Sequence, residues 1–314
     1  MADRETFDRR AIPAGAELSR WTAPDGWALR RLDWRQPAGA RVRGSLLFAA
    51  GRGDFIEKYV EAHAYWQARG WNVTAFDWRG QGGSRGTIEG GHYDSFDPVV
   101  ADLTALIAAW REEGPGPHVV VGHSMGGHVL LRVLAEAKPA LDAAVLVAPM
   151  VGINSAPLPH LAAAATASFM TAIGLGRHPA WQQPKTPAPA GSTRQRILTG
   201  CPERYLDELW WWEREPGYNL GAPSWGWLKA AYDSIGRITP ARLAAVQTPV
   251  LLLSAGRDRL VSPPAIRWAA GHLPRAELVS FPQAAHEILR EADPVRAEAF
   301  AAIDAFLDVN APAR

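Results

Sequence analysis

The sequence predicts an α/β fold: a mostly parallel sheet with helices on both faces and a helical insertion late in the chain. Three observations point there. Short apolar runs alternate with helical stretches through most of the chain, which is the pattern of parallel strands joined by crossover helices. The turn Gly122-His123-Ser124-Met125-Gly126 sits directly between the β-branched run 119–121 and the helical stretch 128–134. After Asn154 the alternation stops, and it returns only at Val250. A chain of 314 residues has room for one large domain or for a core with an insertion. We expect a first core segment over 1–152, a helical cap over 153–238 and a second core segment over 239–314.

The elements follow in order. Residues 17–22 and 27–35 flank Ala23-Pro24-Asp25-Gly26, a hairpin turn signal. Residues 45–50 form a short apolar run, followed by Gly51-Arg52-Gly53 and a helical segment over 54–69. A strand over 71–77 runs into Trp78-Arg79-Gly80-Gln81-Gly82-Gly83-Ser84. A helix over 98–113 precedes the 119–121 strand, and 143–148 is another buried run. In the insertion, 158–174 and 203–215 read as helices and 183–190, rich in proline, as a loop. The core then resumes with a strand over 250–255, a helix from Pro264, a strand over 277–281 and a helix over 293–309.

A strand that must reverse into a helix within a few residues forces its middle residue into strained backbone geometry. Gly122 and Gly126 remove the Cβ atoms that would collide there. Ser124 is thereby pushed out at the edge of the sheet, beside a helix N-terminus that stabilises negative charge. This is a nucleophile elbow. A serine needs a base, and the base needs an orienting acid. In this architecture the acid and then the histidine follow the serine along the chain. The strand 250–255 runs into Gly256-Arg257-Asp258, and the strand ending at Phe281 leads to His286. Asp258 and His286 are therefore the expected partners, with Asp233 and Asp293 as reserve acids and Asp293 read as a helix N-cap. The oxyanion donors are expected at the backbone N–H of Met125 and of Arg52. His123 is expected to point along the turn, away from the nucleophile. The other histidines are expected to be structural or solvated.

Composition excludes several classes. A net charge of +1 gives no long-range field for nucleic acid. No His or Cys cluster has ligand spacing, so no metal is expected, and the serine–histidine chemistry calls for no cofactor. One cysteine, Cys201, permits a reducing compartment. The start of the chain carries both signs of charge and no apolar core, so no signal peptide is expected. Residues 143–176 lack Asp, Glu, Lys and Arg, but prolines and glycines interrupt them. They read as strand, loop and helix rather than a membrane span. A cytoplasmic protein is expected, with room for transient contact between the cap and a membrane surface. The sequence specifies no oligomeric state.

Taken together, the motifs resemble the α/β-hydrolase superfamily, in particular its lysophospholipase and monoacylglycerol lipase branch, which includes proteins labelled serine aminopeptidases. Residues 76–84 resemble the branch's Asp-x-Arg-Gly-x-Gly-x-Ser block, and 122–127 its elbow. Residues 51–59 and 220–228 are similar to bacterial lysophospholipase L2-type sequences. The resemblance implies the α/β-hydrolase fold and a single-chain lipid ester as substrate. There is one departure. Many relatives have His-Gly at the oxyanion loop, where this chain has Ala50-Gly51, so a side-chain hydrogen bond that shapes the loop is expected to be missing.

The cap is the remaining guide to substrate. Trp210, Trp211, Trp212, Trp225 and Trp227 fall within it. Successive helical residues step about 100°, so Trp210–Trp212 cannot share one stripe. We expect Trp211, Trp225 and Trp227 to contact substrate. Between Asn154 and Gly200 there are Lys and Arg residues but no Asp or Glu. Such a lid suits an acyl chain with a polar or anionic head and disfavours a free amine. An aminopeptidase, amidase or small-molecule esterase on the same triad is the alternative enzyme. A non-catalytic ligand-binding protein of this fold is the alternative class.

Overall fold

The computed structural model describes residues 7–182 and 186–313. Part of the loop expected over 183–190 and the first six residues of the charged start thus lie outside the described residues. The frame is an eight-stranded sheet of β1 (Ala16–Thr22), β2 (Ala28–Trp34), β3 (Gly44–Ala49), β4 (Trp71–Phe76), β5 (His118–His123), β6 (Ala143–Val147), β7 (Val250–Ala255) and β8 (Ala276–Phe281), in the order β1-β2-β4-β3-β5-β6-β7-β8. β1 pairs antiparallel with β2, and β2 with β4; the other pairs are parallel. Every residue of β3, β6 and β7 is buried, as expected for strands covered on both faces. Each buried Val or Leu there contributes about 1.5–3 kcal/mol.

The helices are α1 (Val60–Gln67), α2 (Asp97–Glu113), α3 (Met125–Glu136), α4 (His160–Met170), α5 (Thr193–Leu198), α6 (Pro202–Arg214), α7 (Trp225–Gly236), α8 (Pro240–Ala244), α9 (Pro263–Ala270) and α10 (Asp293–Asn310). Proline stands in the first turn of α2, α6, α8, α9 and α10, where its missing N–H removes no intrahelical bond. α1 and α10 pack together, with the Tyr65 and Phe300 rings stacked at 3.9 Å, while α2 packs on α3. The helical cap leaves the core between β6 and β7, and within it α4 packs on α7.

Two details differ from expectation. The segment 54–69 is not one helix: a 3-10 turn over Ile56–Tyr59 precedes α1. Its first N–H is claimed from outside, since Ile56 donates to the Asp77 carboxylate at 2.9 Å. Asp293 is the first residue of α10 rather than its cap, and its carboxylate pairs with Arg204 at 2.6 Å.

Register positions the site. Ala49 pairs with Gly122, His123 with Val147, Val147 with Leu253 and Ala255 with Phe281. The loops after β3, β5, β7 and β8 therefore emerge at one edge of the sheet.

Candidate active site

Ser124 has φ +52° and ψ −114°, a conformation costing about 1–3 kcal/mol in a non-glycine residue. The fold holds it there. Its N–H donates to Val147 O at 2.9 Å, and its carbonyl accepts from the N–H groups of His128 and Met150, both at 3.0 Å. The flanking glycines are steric requirements. A Cβ on Gly126 would lie 2.1 Å from Ala49 O, and one on Gly122 would lie 2.8 Å from the Gly127 Cα. The helix can start this close to β3 and β5 only without those carbons.

Past β7 and β8, the chain brings Asp258 and His286 to the serine. His286 Nε2 lies 2.9 Å from Ser124 Oγ, and His286 Nδ1 lies 2.7 Å from Asp258 Oδ2. The other oxygen of Asp258 accepts from Leu260 N–H at 2.8 Å and Val261 N–H at 3.0 Å, which fixes the carboxylate's orientation. Burial pushes Asp258 up, but His286 and those two N–H groups more than offset it, so its pKa lies below the ordinary carboxylate range. Burial pushes His286 down, yet the charge and hydrogen bond of Asp258 prevail and raise it above its usual value. The reserve acids are elsewhere: Asp233 is exposed and pairs with Lys229 at 2.6 Å.

Beside the serine, the loop after β3 is shaped in a way the sequence did not reveal. The Gly51 N–H donates to Asp54 Oδ2 at 2.8 Å, and the Gly53 N–H to Gln81 Oε1 at 2.7 Å. A side-chain hydrogen bond at this loop is thus present, supplied by Asp54. Neither the Arg52 nor the Met125 backbone N–H meets a protein acceptor among the described residues, and both residues line the cavity above Ser124.

His123 corrects the sequence reading. Its ring lies 4.9 Å from that of His286 and lines the cavity, and its Nδ1 contacts Tyr59 Oη at 3.0 Å and Asp54 Oδ2 at 3.1 Å. It turns toward the site because its partners come from the segment before α1.

A buried ionic cluster adjoins these groups. Lys58 Nζ lies 2.7 Å from Asp54, 2.6 Å from Glu287 and 3.4 Å from Glu208. Arg290 pairs with Glu287, and Arg194 with Glu208 at 2.8 Å. Burial lowers Lys58, but these carboxylates more than offset it and hold the ammonium charged. Burial likewise raises Asp54, while Lys58 and His123 drive it far below the ordinary range. The signal for this cluster lay in the charged pairs at 54 and 58 and at 287 and 290, which from sequence alone look like solvated helix residues.

The site opens into a cavity of about 470 Å³ beneath the cap, within the size range of small-molecule sites. Met150, Ile153, Ile197, Leu220, Leu228 and Val261 are among its apolar lining residues. Its tryptophans are Trp181, Trp212 and Trp227, so of the expected set only Trp227 faces it. Trp211 instead points to the start of the chain and donates from Nε1 to Arg9 O at 3.3 Å. Trp225 is absent from the lining, and its N–H donates to His178 O at 3.1 Å. One helical step of about 100° separates Trp211 from Trp212, and three consecutive tryptophans gave no phase by which to choose. The lining also includes the carboxylates of Asp54, Glu208 and Glu287, contrary to a carboxylate-free pocket, but each is already paired with a cation. Among the described residues no group of His, Cys, Asp and Glu is arranged to hold a metal ion.

Strands that deliver a serine elbow, an acid and a histidine to one edge, in that chain order and under a helical cap, define the α/β-hydrolase fold. The chain belongs to the serine aminopeptidase S33 family, whose sequence profile matches residues 40–293. It is 29% identical over 316 residues to a lysophospholipase L2 of Escherichia coli, covering 93% of this chain and 88% of that protein. It is 25% identical over 252 residues to a monoacylglycerol lipase of Mycolicibacterium smegmatis, covering 79% and 83%. A soluble variant of Saccharomyces cerevisiae monoglyceride lipase shares the fold with a TM-score of 0.75 at 18% identity, covering 97% and 99%.

Proposed function

We propose that the protein cleaves the carboxylic ester of a single-chain lipid, a lysophospholipid or a monoacylglycerol, through an acyl-serine intermediate. One observation carries this reading: the hydrogen-bonded chain Ser124–His286–Asp258 opens into a large, mainly apolar cavity. His286 Nε2 takes the Ser124 proton as Oγ attacks the ester carbon. The Met125 and Arg52 N–H groups receive the oxyanion. His286 then returns the proton to the leaving alcohol, and in the second half-reaction it activates water to release the fatty acid and free the serine. These steps need no cofactor.

The relatives' names support lipid esters, and the residues support them independently. An amine substrate would want an unpaired carboxylate, whereas Asp54, Glu208 and Glu287 are neutralised by Lys58, Arg194 and Arg290. We take 153–238 as the cap that encloses the acyl chain. No helix among the described residues is long and apolar enough to cross a membrane. Leu161, Phe169, Ile173 and Trp181 on the early cap are each more than half exposed. They support transient contact with a lipid surface by a cytoplasmic protein.

The test is active-site labelling with turnover. A fluorophosphonate probe should modify one site in the wild type, and Ser124→Ala should abolish labelling and lower kcat by roughly 10⁴-fold or more. Labelling that survives in Ser124→Ala refutes the assignment.

A further inference from the structure

Three cations line the cavity: Arg52, Lys58 and Arg194. Lys58 is surrounded by carboxylates, and Arg194 is paired with Glu208. Arg52 differs. Its guanidinium has no carboxylate partner among the described residues; its terminal nitrogens each donate to a backbone carbonyl, Gly221 O and Gly90 O, both at 3.0 Å. The Trp227 ring lies 5.2 Å from its centre. Two of the five N–H groups of an arginine are thereby taken. Among the described residues the buried Nε has no acceptor, and each terminal nitrogen has only the one carbonyl. Burial without a counter-charge pushes its pKa down to about 10, which leaves it cationic at neutral pH.

A cation held largely out of water with no carboxylate beside it is costly. This one is also fixed in orientation, because two separate loops hold its terminal nitrogens, and a fixed guanidinium fork matches a phosphate or carboxylate edge. Its position relative to the reaction is set by its neighbour. A Cβ on Gly51 would lie 3.1 Å from the Ser124 Cβ, so the backbone of Arg52 starts beside the nucleophile, and both side chains line the same cavity.

We propose that the Arg52 guanidinium receives the phosphodiester of a lysophospholipid, making it a specificity residue that favours lysophospholipids over monoacylglycerols. The inference rests on the ester-hydrolase reading above and narrows it. A monoacylglycerol offers only hydroxyls at that position and leaves the charge uncompensated, whereas the phosphodiester of a lysophospholipid lies one glycerol skeleton from its ester.

The experiment compares kcat/KM for lysophosphatidylglycerol and monoacylglycerol of one acyl chain, in the wild type, Arg52→Gln and Arg52→Lys. Monoacylglycerol is the internal reference, because the backbone of residue 52 also borders the oxyanion. The wild type should favour the phosphodiester substrate. Arg52→Gln should shrink that preference by roughly 10- to 100-fold, mainly through KM, as for loss of a charge-assisted hydrogen bond, and Arg52→Lys should restore part of it. A variant that lowers both substrates equally, or a wild type that prefers monoacylglycerol, overturns the proposal.

A second arm needs no variant. Glycerol 3-phosphate should compete with p-nitrophenyl butyrate in the wild type where glycerol does not; equal competition by inorganic phosphate would mean a free-anion site and also overturn it. Turnover of aminoacyl anilides but of neither lipid would refute the ester reading instead, and the competition arm would still report on Arg52.

Discussion

Burial favours the neutral imidazole of His286, while Asp258 at 2.7 Å favours the imidazolium and prevails, so the histidine's pKa lies above its ordinary value. A general base must be neutral to accept the serine proton. The wild-type kcat/KM should therefore fall as pH drops through an ionisation raised above that of a free imidazole. Asp258→Asn removes the charge that raises it, so the acid limb should move to lower pH while activity falls by roughly 10⁴-fold with the imidazole held in the wrong tautomer. A pH–rate profile of both proteins checks this, and an acid limb that stays in place in Asp258→Asn contradicts it. These positions were legible in the sequence because each follows an apolar run that ends at the same sheet edge. The placement of His123 was not, because its partners Asp54 and Tyr59 lie far away along the chain.

The elbow depends on how closely α3 approaches β3. Gly126→Ala would place a carbon 2.1 Å from Ala49 O, which only backbone movement can relieve. The variant should lose roughly 1–3 kcal/mol of stability and most of its turnover, because the same strand end carries the loop with Arg52, proposed above as an oxyanion donor. Thermal unfolding with an esterase assay reads both, and an unchanged Tm would show that α3 has more room. The strands and core helices were legible through apolar periodicity. The phase of α6 was not, and it matters for substrate. Each buried CH₂ adds up to about 0.8 kcal/mol, or about fourfold in kcat/KM. Activity on single-chain esters should rise with acyl length and then level off. Trp212→Ala should flatten that rise, while Trp211→Ala, whose ring is turned toward Arg9 and is absent from the cavity lining, should leave its slope intact. The reverse result would mean that the acyl chain takes another route.

Across the whole molecule the helical insertion is fastened to the segment that carries His286 rather than merely laid over it. His286 N–H donates to Ile197 O at 3.3 Å, Glu287 N–H to Leu198 O at 2.8 Å and Arg204 to Glu291 O at 2.7 Å. Thr199 Oγ1 donates to Arg290 O at 2.7 Å. The α5–α6 part of the insertion thus positions the histidine loop, and the Lys58 cluster ties the loop after β3 to both. An insertion was visible in the sequence as the loss of alternation. Its attachment to residues 286–291 was not, because each of those contacts ends on a main-chain carbonyl, which carries no compositional signal. In the proposed reaction an acyl group passes from a single-chain lipid to Ser124. Rapid acid quenching during turnover of a lysophospholipid, followed by mass spectrometry of the peptide containing residue 124, tests it most directly. The expected result is an acyl adduct on Ser124 that forms and decays at kinetically competent rates and is absent in Ser124→Ala. Fatty acid release without that adduct, or an adduct on another residue, would contradict it.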